Sequence, residues 1–188
     1  YKSKEKVQAA WVEDKAEEYY NKLARVVKDT EGQILTFKGE LVRSALYFST
    51  SWGKTENSEE VFSGRVPYLK SVESPGEEIS NRYSSKEAIT IATFVSSVNQ
   101  RYPSAELSEK QLQKQVEILS RNSGGSVKEI RLGNTKIRGR DFRSLFSLNS
   151  ANFSLDIVKE TVDISCLGYG HGVGMSQWGA NVMAKAGK

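Results

Sequence analysis

Every second residue from 168 to 174 is glycine, and this alternation limits how the end of the chain can fold. In an extended strand, successive residues point to opposite faces. One face of this segment would therefore be bare backbone, and the other would carry Tyr169, His171, Val173 and Met175. A bare face lets another backbone or a flat ligand approach closely. We interpret the segment as a ligand-facing strand that presents the only histidine of the chain, with a tight packing seam as the alternative.

A short helix is predicted immediately after this segment, from Gln177 to Lys185. Ser176 is a favourable N-cap residue, and Gly187 is placed to end the helix. The free N–H groups at a helix start suit hydroxyls or anions. We therefore expect Ser176 and Gln177 to contribute to a binding site beside His171.

The second candidate site is a hydroxyl-rich turn that spans residues 49–55. Hydroxyls that hydrogen-bond sugar hydroxyls, and an aromatic ring that packs on a sugar face, are typical of carbohydrate recognition. An ordinary polar turn is the alternative. The candidate ligand residues of this turn are Ser49, Ser51, Trp52, Lys54 and Thr55.

Several stretches of the chain resemble one known family. Residues 170–180 read Gly-His-Gly-Val-Gly-Met-Ser-Gln-Trp-Gly-Ala, and shorter matches occur at 1–3, 49–56, 67–72 and 139–143. In order and spacing they resemble the sporulation protein D / amidase-enhancer family over essentially the whole chain. The resemblance implies a lytic transglycosylase that cuts peptidoglycan glycan strands stripped of their stem peptides during engulfment of the forespore. It also implies that the 49–55 turn lines the substrate groove, and that this turn, Tyr169, His171, Ser176 and Gln177 position sugars or brace the catalytic glutamate.

The catalytic residue is not identified in this chain. A lytic transglycosylase can work with one carboxylic acid, which protonates the glycosidic oxygen and then, as a base, helps the 6-hydroxyl of the sugar to attack. The resemblance places that glutamate on a helix upstream of Tyr1, and the helix signature Glu-Ala-Leu-Lys-Ala-Gln does not occur here. We therefore expect this chain by itself not to cut glycans. A glycan-binding or amidase-stimulating module without catalysis is the alternative function.

Three other chemistries receive weaker support from the residues. Glu56 is the nearest acidic substitute, beside the hydroxyl-rich turn. Ser51 and His171 could form a hydrolase pair, although no orienting aspartate is indicated. One histidine and one cysteine cannot complete a structural zinc site, so we predict no metal and no cofactor.

The resemblance also implies partners and a location. The partners are peptidoglycan glycan strands, the sporulation amidase stage II sporulation protein P and a membrane protein of the engulfment complex. The location is outside the cytoplasm, at the mother-cell membrane, through an anchor that would precede Tyr1. The chain itself contains no run of ~18 apolar residues. Its net charge of +4 is spread along the sequence without a dense basic run, so we expect no nucleic-acid partner.

The hydrophobic pattern predicts an α+β fold with a mixed or antiparallel core sheet, helices and a smaller inserted α+β lobe. We place the core, with its glycan groove, at residues 1–75 and 159–188, and the lobe at 76–158, because Ser74-Pro75-Gly76 is the strongest break. Helices are predicted at 3–26, 86–100 and 141–145, and strands at 33–38, 41–49, 67–72, 118–121, 127–132, 136–138, 153–158 and 161–165.

Overall fold

The computed structural model describes residues 3–188, so Tyr1 and Lys2, which carry part of the resemblance, lie outside the described residues. Contacts divide the chain into two compact units, one that ends at Ser44 and one that runs from Ala45 to Lys188. The predicted division into 1–75 with 159–188 and an inserted 76–158 lobe is a different grouping. In the structure, residues 76–158 belong to the same unit as residues 159–188.

The first unit contains two helices, α1 (Lys4–Gln8) and α2 (Ala16–Asp29). The predicted single helix over 3–26 is therefore interrupted between them. Val12 adopts an extended conformation, with φ −63° and ψ 130°, which ends the helical hydrogen bonding at that point. The interruption lets the Trp11 ring meet the edge of the Tyr19 ring at 5.8 Å between centroids. Eight residues of continuous helix would separate the two positions by about 12 Å along the axis.

A short hairpin completes the first unit, with β1 (Thr36–Phe37) paired to β2 (Glu40–Leu41). Lys38 and Gly39 form the turn with φ of 55° and 86°. Two successive positive φ angles are typical of the tight turns that match strand twist. The hairpin is confirmed, but its second strand is shorter than predicted, because Tyr47 and Phe48 pair with residues 175–176 instead.

The second unit combines small sheets and helices, which confirms the predicted α+β class. In chain order its elements are β3 (Tyr47–Phe48), β4 (Gly53–Lys54), α3 (Ser58–Val61), β5 (Glu73–Ser74), β6 (Ser84–Thr90), α4 (Ile91–Arg101), α5 (Leu112–Gln115), β7 (Val116–Arg121), β8 (Val127–Leu132), β9 (Thr135–Arg138), α6 (Gly139–Leu145), β10 (Phe153–Val158), β11 (Thr161–Leu167), β12 (Met175–Ser176) and α7 (Gln177–Lys185). The strand order is β10–β11–β6 in one antiparallel sheet and β7–β8–β9 in another.

The predicted helix over 86–100 is half strand and half helix. Residues up to Thr90 pair with β11, and the helix begins at Ile91. The Thr90 side chain accepts a hydrogen bond from the Thr93 N–H at 3.2 Å, as expected of an N-cap. Pairing with a distant strand thus overrides the local helical pattern before Thr90, because sheet formation depends on neighbours that are remote in sequence.

The hydrophobic core of the second unit draws on both three-stranded sheets and on α4 and α6. Its centre is aromatic: Phe142 stacks on Phe153 at 4.7 Å between ring centroids, and Phe94 stacks on Phe146 at 4.9 Å. Burial of such rings is a large favourable term in folding. This core supports the edge of the unit where the glycine-rich segment lies.

The glycine-rich segment is a packing seam and not a regular strand. It makes isolated bridges, including Thr50 to Tyr169 and Glu56 to Val173, and all four alternate glycines have positive φ. A Cβ on Gly172 would lie 2.5 Å from the Trp52 ring. The bare backbone is therefore covered by protein, so its interpretation as the ligand-facing side is wrong and the packing alternative describes it.

Glu56 fastens this seam to a turn from the neighbouring sheet. Its fully buried carboxylate accepts hydrogen bonds from the Gly124 N–H at 3.0 Å and the Ser126 N–H at 2.8 Å. Its own N–H donates to the Gly172 carbonyl at 2.7 Å. Trp52 reinforces the joint, because its indole N–H donates to the Gly124 carbonyl at 2.6 Å. Burial raises the pKa of Glu56, against the lowering effect of the two backbone donors.

We expect Gly172→Ala to lower the free energy of unfolding by about 2–5 kcal/mol, because alanine strains a backbone with φ of +80° and its methyl group enters the Trp52 ring. Urea denaturation followed by tryptophan fluorescence measures this loss. Gly64→Ala is the matched control, because Gly64 has no positive φ and no atom within 4 Å of an added Cβ. Equal urea midpoints for Gly172→Ala and Gly64→Ala would contradict the close packing of the Gly172 backbone against Trp52.

Glu56→Gln should cost about 1–3 kcal/mol, because the new amide group would face a backbone N–H donor that needs an acceptor. Glu109→Gln, at an exposed position, supplies the control. The same denaturation experiment applies to both variants. A Glu56→Gln protein as stable as the control would show that the two N–H groups do not depend on the carboxylate.

Candidate functional site

A cleft with a volume of about 1090 Å³ opens beside β8 and α6. Residues of α3, β7, β8, β9 and α6 line it, together with His171 and residues that follow α3, β7 and α6. The lining is mostly polar and charged: Glu59, Glu60, Val61, Phe62, Ser63, Ser120, Asn122, Ser126, Val127, Lys128, Glu129, Arg138, Arg140, Asp141, Arg143, Ser144, Ser147, Leu148, Ala151 and His171. Of the residues predicted to bind a glycan, only His171 lies in this lining.

His171 is half-buried, and its ring is held in one orientation. Its Nδ1 accepts a hydrogen bond from the Val173 N–H at 3.1 Å. The Phe62 ring meets it at 5.4 Å between centroids. An imidazole that accepts at Nδ1 is neutral, so His171 both braces the seam and presents one edge to the cleft.

The pKa of His171 is lowered, first by burial and then by the charge of Arg143, while the nearby backbone of Tyr47 acts in the opposite direction. The neutral ring is therefore the form present at neutral pH. This matches the hydrogen bond that Nδ1 accepts, which protonation would break.

Two glutamates of the cleft, Glu59 and Glu60, have lowered pKa values and are therefore ionised at neutral pH. The pKa of Glu59 falls to about 2, chiefly through its hydrogen bond from Lys70 at 2.6 Å. Burial alone would raise the pKa of Glu60, but hydrogen bonds from Asn57 and Ser123 outweigh it, and the pKa is lowered. A general acid must carry a proton near neutral pH. Neither glutamate has the environment that this role requires.

The hydroxyl-rich turn 49–55 lies mostly inside the protein. Ser51, Trp52 and Thr55 are buried, so the prediction that Trp52 is an exposed stacking ring is wrong. The Trp52 ring packs beneath Gly168 and Gly172. The local sequence around Trp52 could not show that these distant glycines would cover the ring. The Thr55 hydroxyl likewise has a structural partner, because it accepts the Val72 N–H at 2.9 Å.

The geometry does not support a Ser51–His171 hydrolase. The buried Ser51 hydroxyl has no hydrogen-bond partner among the described residues. His171 Nδ1 is occupied by the Val173 N–H. A nucleophile and its base have to be within hydrogen-bond reach of each other.

The remaining predicted glycan ligands lie outside the cleft lining. Lys54 pairs with Glu73 at 3.5 Å, and the Arg82 guanidinium lies over the Tyr169 ring at 4.8 Å. Ser49 is half-buried and Gln177 is exposed. Their role in binding stays a prediction.

Glu77 is a functional support that sequence reasoning missed. Its buried carboxylate accepts hydrogen bonds from the Ser51 N–H at 2.7 Å and from the hydroxyls of Ser176 and Ser74, each at 2.6 Å. The Ser176 hydroxyl in turn accepts the Gly179 N–H at 3.2 Å, which confirms it as the N-cap of α7. In sequence Glu77 stands beside an equivalent Glu78, and nothing there distinguishes the buried carboxylate from the exposed one.

Two features are absent from residues 3–188. No helix in this range is long and apolar enough to cross a membrane. No group of three or more His, Cys, Asp and Glu side chains in the same range could hold a metal ion.

We expect the contribution of His171 to stability to be complete above pH 6.5 and to shrink as the pH falls below that value. The unfolded chain takes up a proton near pH 6.5, whereas the lowered pKa keeps the folded ring neutral to lower pH. Urea denaturation of the natural chain and of His171→Asn between pH 5 and 8 measures the difference. If the difference in unfolding free energy between the two proteins stays constant over this pH range, the fold does not keep His171 neutral.

The chain resembles characterised proteins over its whole length, although no family model matches it. It is 35% identical to stage II sporulation protein D of Bacillus subtilis and 36% identical to that of Bacillus amyloliquefaciens, with 100% of this chain and 52% of each relative aligned. A weaker similarity, 25% identity over 87% of the chain and 30% of the relative, links it to the amidase enhancer of Bacillus subtilis. The chain thus spans about half the length of the curated sporulation proteins it matches. The predicted family is confirmed, and over the segment they share this chain belongs with the stage II sporulation protein D / amidase-enhancer family.

Proposed function

We propose that the whole protein is a peptidoglycan lytic transglycosylase of sporulation and that this chain supplies its glycan-binding cleft. The observation that carries the proposal is the cleft of about 1090 Å³ beside His171. The similarity to stage II sporulation protein D supports the sporulation role. The substrate would be glycan strands that have lost their stem peptides.

The lining of the cleft suits an oligosaccharide. Four of its serines, Ser63, Ser120, Ser144 and Ser147, are exposed or half-buried and can exchange hydrogen bonds with sugar hydroxyls. Phe62 is 37% exposed and lies against His171, so its ring can pack on the apolar face of a sugar. A cleft with an aromatic surface and convergent polar groups is typical of ligand sites. On this proposal Phe62 takes the stacking role that the sequence pattern suggested for Trp52.

The general acid would come from another part of the protein. Glu59 and Glu60 have lowered pKa values. Burial raises the pKa of Glu56, but this side chain is fully buried outside the cleft lining, with both oxygens bound by backbone N–H groups, and cannot reach a glycan. Cleavage requires a carboxylic acid that carries a proton at the start of the reaction. We propose that a glutamate upstream of Tyr1 in the whole protein supplies it, so that this chain binds glycans without cutting them.

A second candidate function is stimulation of an amidase without catalysis, and the similarity to the amidase enhancer favours it. In both cases the partners would be the sporulation amidase, stage II sporulation protein P, and a membrane protein of the engulfment complex. The protein would then act outside the cytoplasm, attached to the mother-cell membrane.

The proposal is tested with glycan strands freed of stem peptides. Co-sedimentation with the strands measures binding, and the release of 1,6-anhydro sugars measures cleavage. We expect this chain to bind the strands without turnover, and Phe62→Ala to weaken binding roughly tenfold through loss of the stacking surface. Ile79→Ala, at an exposed apolar position outside the cleft, is the control.

Three results separate the alternatives. Release of 1,6-anhydro sugars by this chain would contradict the upstream acid. Failure of the unaltered chain to bind strands would contradict the glycan-binding cleft. Stimulation of the amidase by a chain that has no affinity for glycans would favour the second function.

A further inference from the structure

Arg143 is a half-buried cation in the cleft without an acidic partner. Its Nε donates to the Leu148 carbonyl at 3.1 Å, which fixes the guanidinium at the end of α6. Among residues 3–188, no carboxylate forms an ion pair with it. The neighbouring Arg138 differs in this respect, since it pairs with Asp141 at 3.0 Å. A partly desolvated charge without a counter-ion is unfavourable, so an anionic ligand would be stabilising at this position.

Asn122 provides a second, independent sign of a ligand in the same cleft. Asn122 is 8% exposed and lines the cleft. Its side-chain Oδ1 has no hydrogen-bond partner among the described residues. Its amide nitrogen is already used, because it donates to the Ser126 hydroxyl at 3.0 Å. A buried acceptor without a donor is costly, and a sugar hydroxyl or acetamido N–H would satisfy it.

The charges of the cleft indicate which kind of anion fits. Four basic residues (Lys128, Arg138, Arg140 and Arg143) and four acidic residues (Glu59, Glu60, Glu129 and Asp141) line it. This balance disfavours a highly charged polyphosphate. It leaves room for a single carboxylate at Arg143, whose planar fork of N–H donors matches the two oxygens of a carboxylate.

We propose that Arg143 binds the free lactyl carboxylate of an N-acetylmuramic acid residue, with Asn122 accepting a hydrogen bond from the same saccharide. This inference rests on the proposed glycan-binding function and specifies it further. Removal of a stem peptide breaks the amide bond at the lactyl group and leaves a carboxylate. A cleft that requires this carboxylate therefore selects strands after amidase action.

The test compares two disaccharides by isothermal titration calorimetry with the full chain. One ends in N-acetylmuramic acid, and the other, N,N′-diacetylchitobiose (called chitobiose below), has the same N-acetylated sugar framework without the lactyl group. We expect the first to bind at least tenfold more tightly, because a hydrogen bond to a charged group is worth about tenfold or more in affinity. Muropeptides with intact stem peptides form a third arm, because their lactyl group is an amide and their carboxylates lie on the peptide.

Variants of the chain test whether Arg143 causes the preference for the muramic acid disaccharide. Arg143→Gln should weaken binding of the muramic acid disaccharide at least tenfold and so remove its preference over chitobiose, while Arg143→Lys should keep part of the preference. Arg101→Gln, exposed and outside the cleft, is the control. Circular dichroism establishes that the variants are folded, and the comparison of ligands on the unaltered chain does not depend on them.

The outcomes distinguish this inference from the function on which it rests. Binding of neither disaccharide, and of no denuded strand, would overturn the glycan-binding proposal itself. Equal binding of both disaccharides would overturn the role of Arg143 and leave glycan binding intact. Tighter binding of muropeptides with stem peptides would also overturn it, because the recognised carboxylate would then belong to the peptide.

Discussion

Two buried carboxylates hold the functional edge of this protein together. Glu56 joins the glycine-rich seam to the turn after β7, and Glu77 joins the start of α7 to the 49–55 turn. A buried carboxylate is costly unless donors surround it. Here backbone N–H groups and serine hydroxyls supply those donors, so each carboxylate gains stability only when the distant segments are correctly placed.

This arrangement changes the interpretation of the glycine-rich segment. Alternating glycines allow the backbone to pass over the Trp52 ring and adopt positive φ angles, so the segment is built into the core edge. His171 is its contribution to the surface, because one edge of the ring reaches the cleft while Nδ1 holds the Val173 N–H. The segment that most resembles the family is thus mainly a support for a cleft whose other walls come from α3, β8 and α6.

The charged residues of this region fall into two groups, those that hold the structure together and those that line the cleft. Glu56 and Glu77 have their oxygens occupied by the protein itself. Arg143, in contrast, keeps donors available beside a buried acceptor on Asn122. In physical terms the satisfied carboxylates specify the structure, whereas Arg143 and Asn122 line the cleft with groups that a ligand can use.

Local pattern was sufficient for the elements whose signals are contained in a few neighbouring residues. The α+β class, the hairpin β10–β11, the three strands β7–β9 and the helix after Ser176 could all be predicted, because capping, turn chemistry and alternation act over short distances. The family resemblance was equally readable, since it lies in a continuous motif.

Only the tertiary structure decided which residues face a ligand. The same alternation of glycines suits a bare binding face and a packing seam, and the difference depends on Trp52, which lies more than a hundred residues earlier. Burial of Glu77 rather than Glu78, and the isolation of Arg143 from carboxylates, likewise arise from segments that meet only on folding. The sequence by itself determined the local elements and the family, whereas long-range contacts determined the site, because exposure is a property of the packed chain and not of any single stretch.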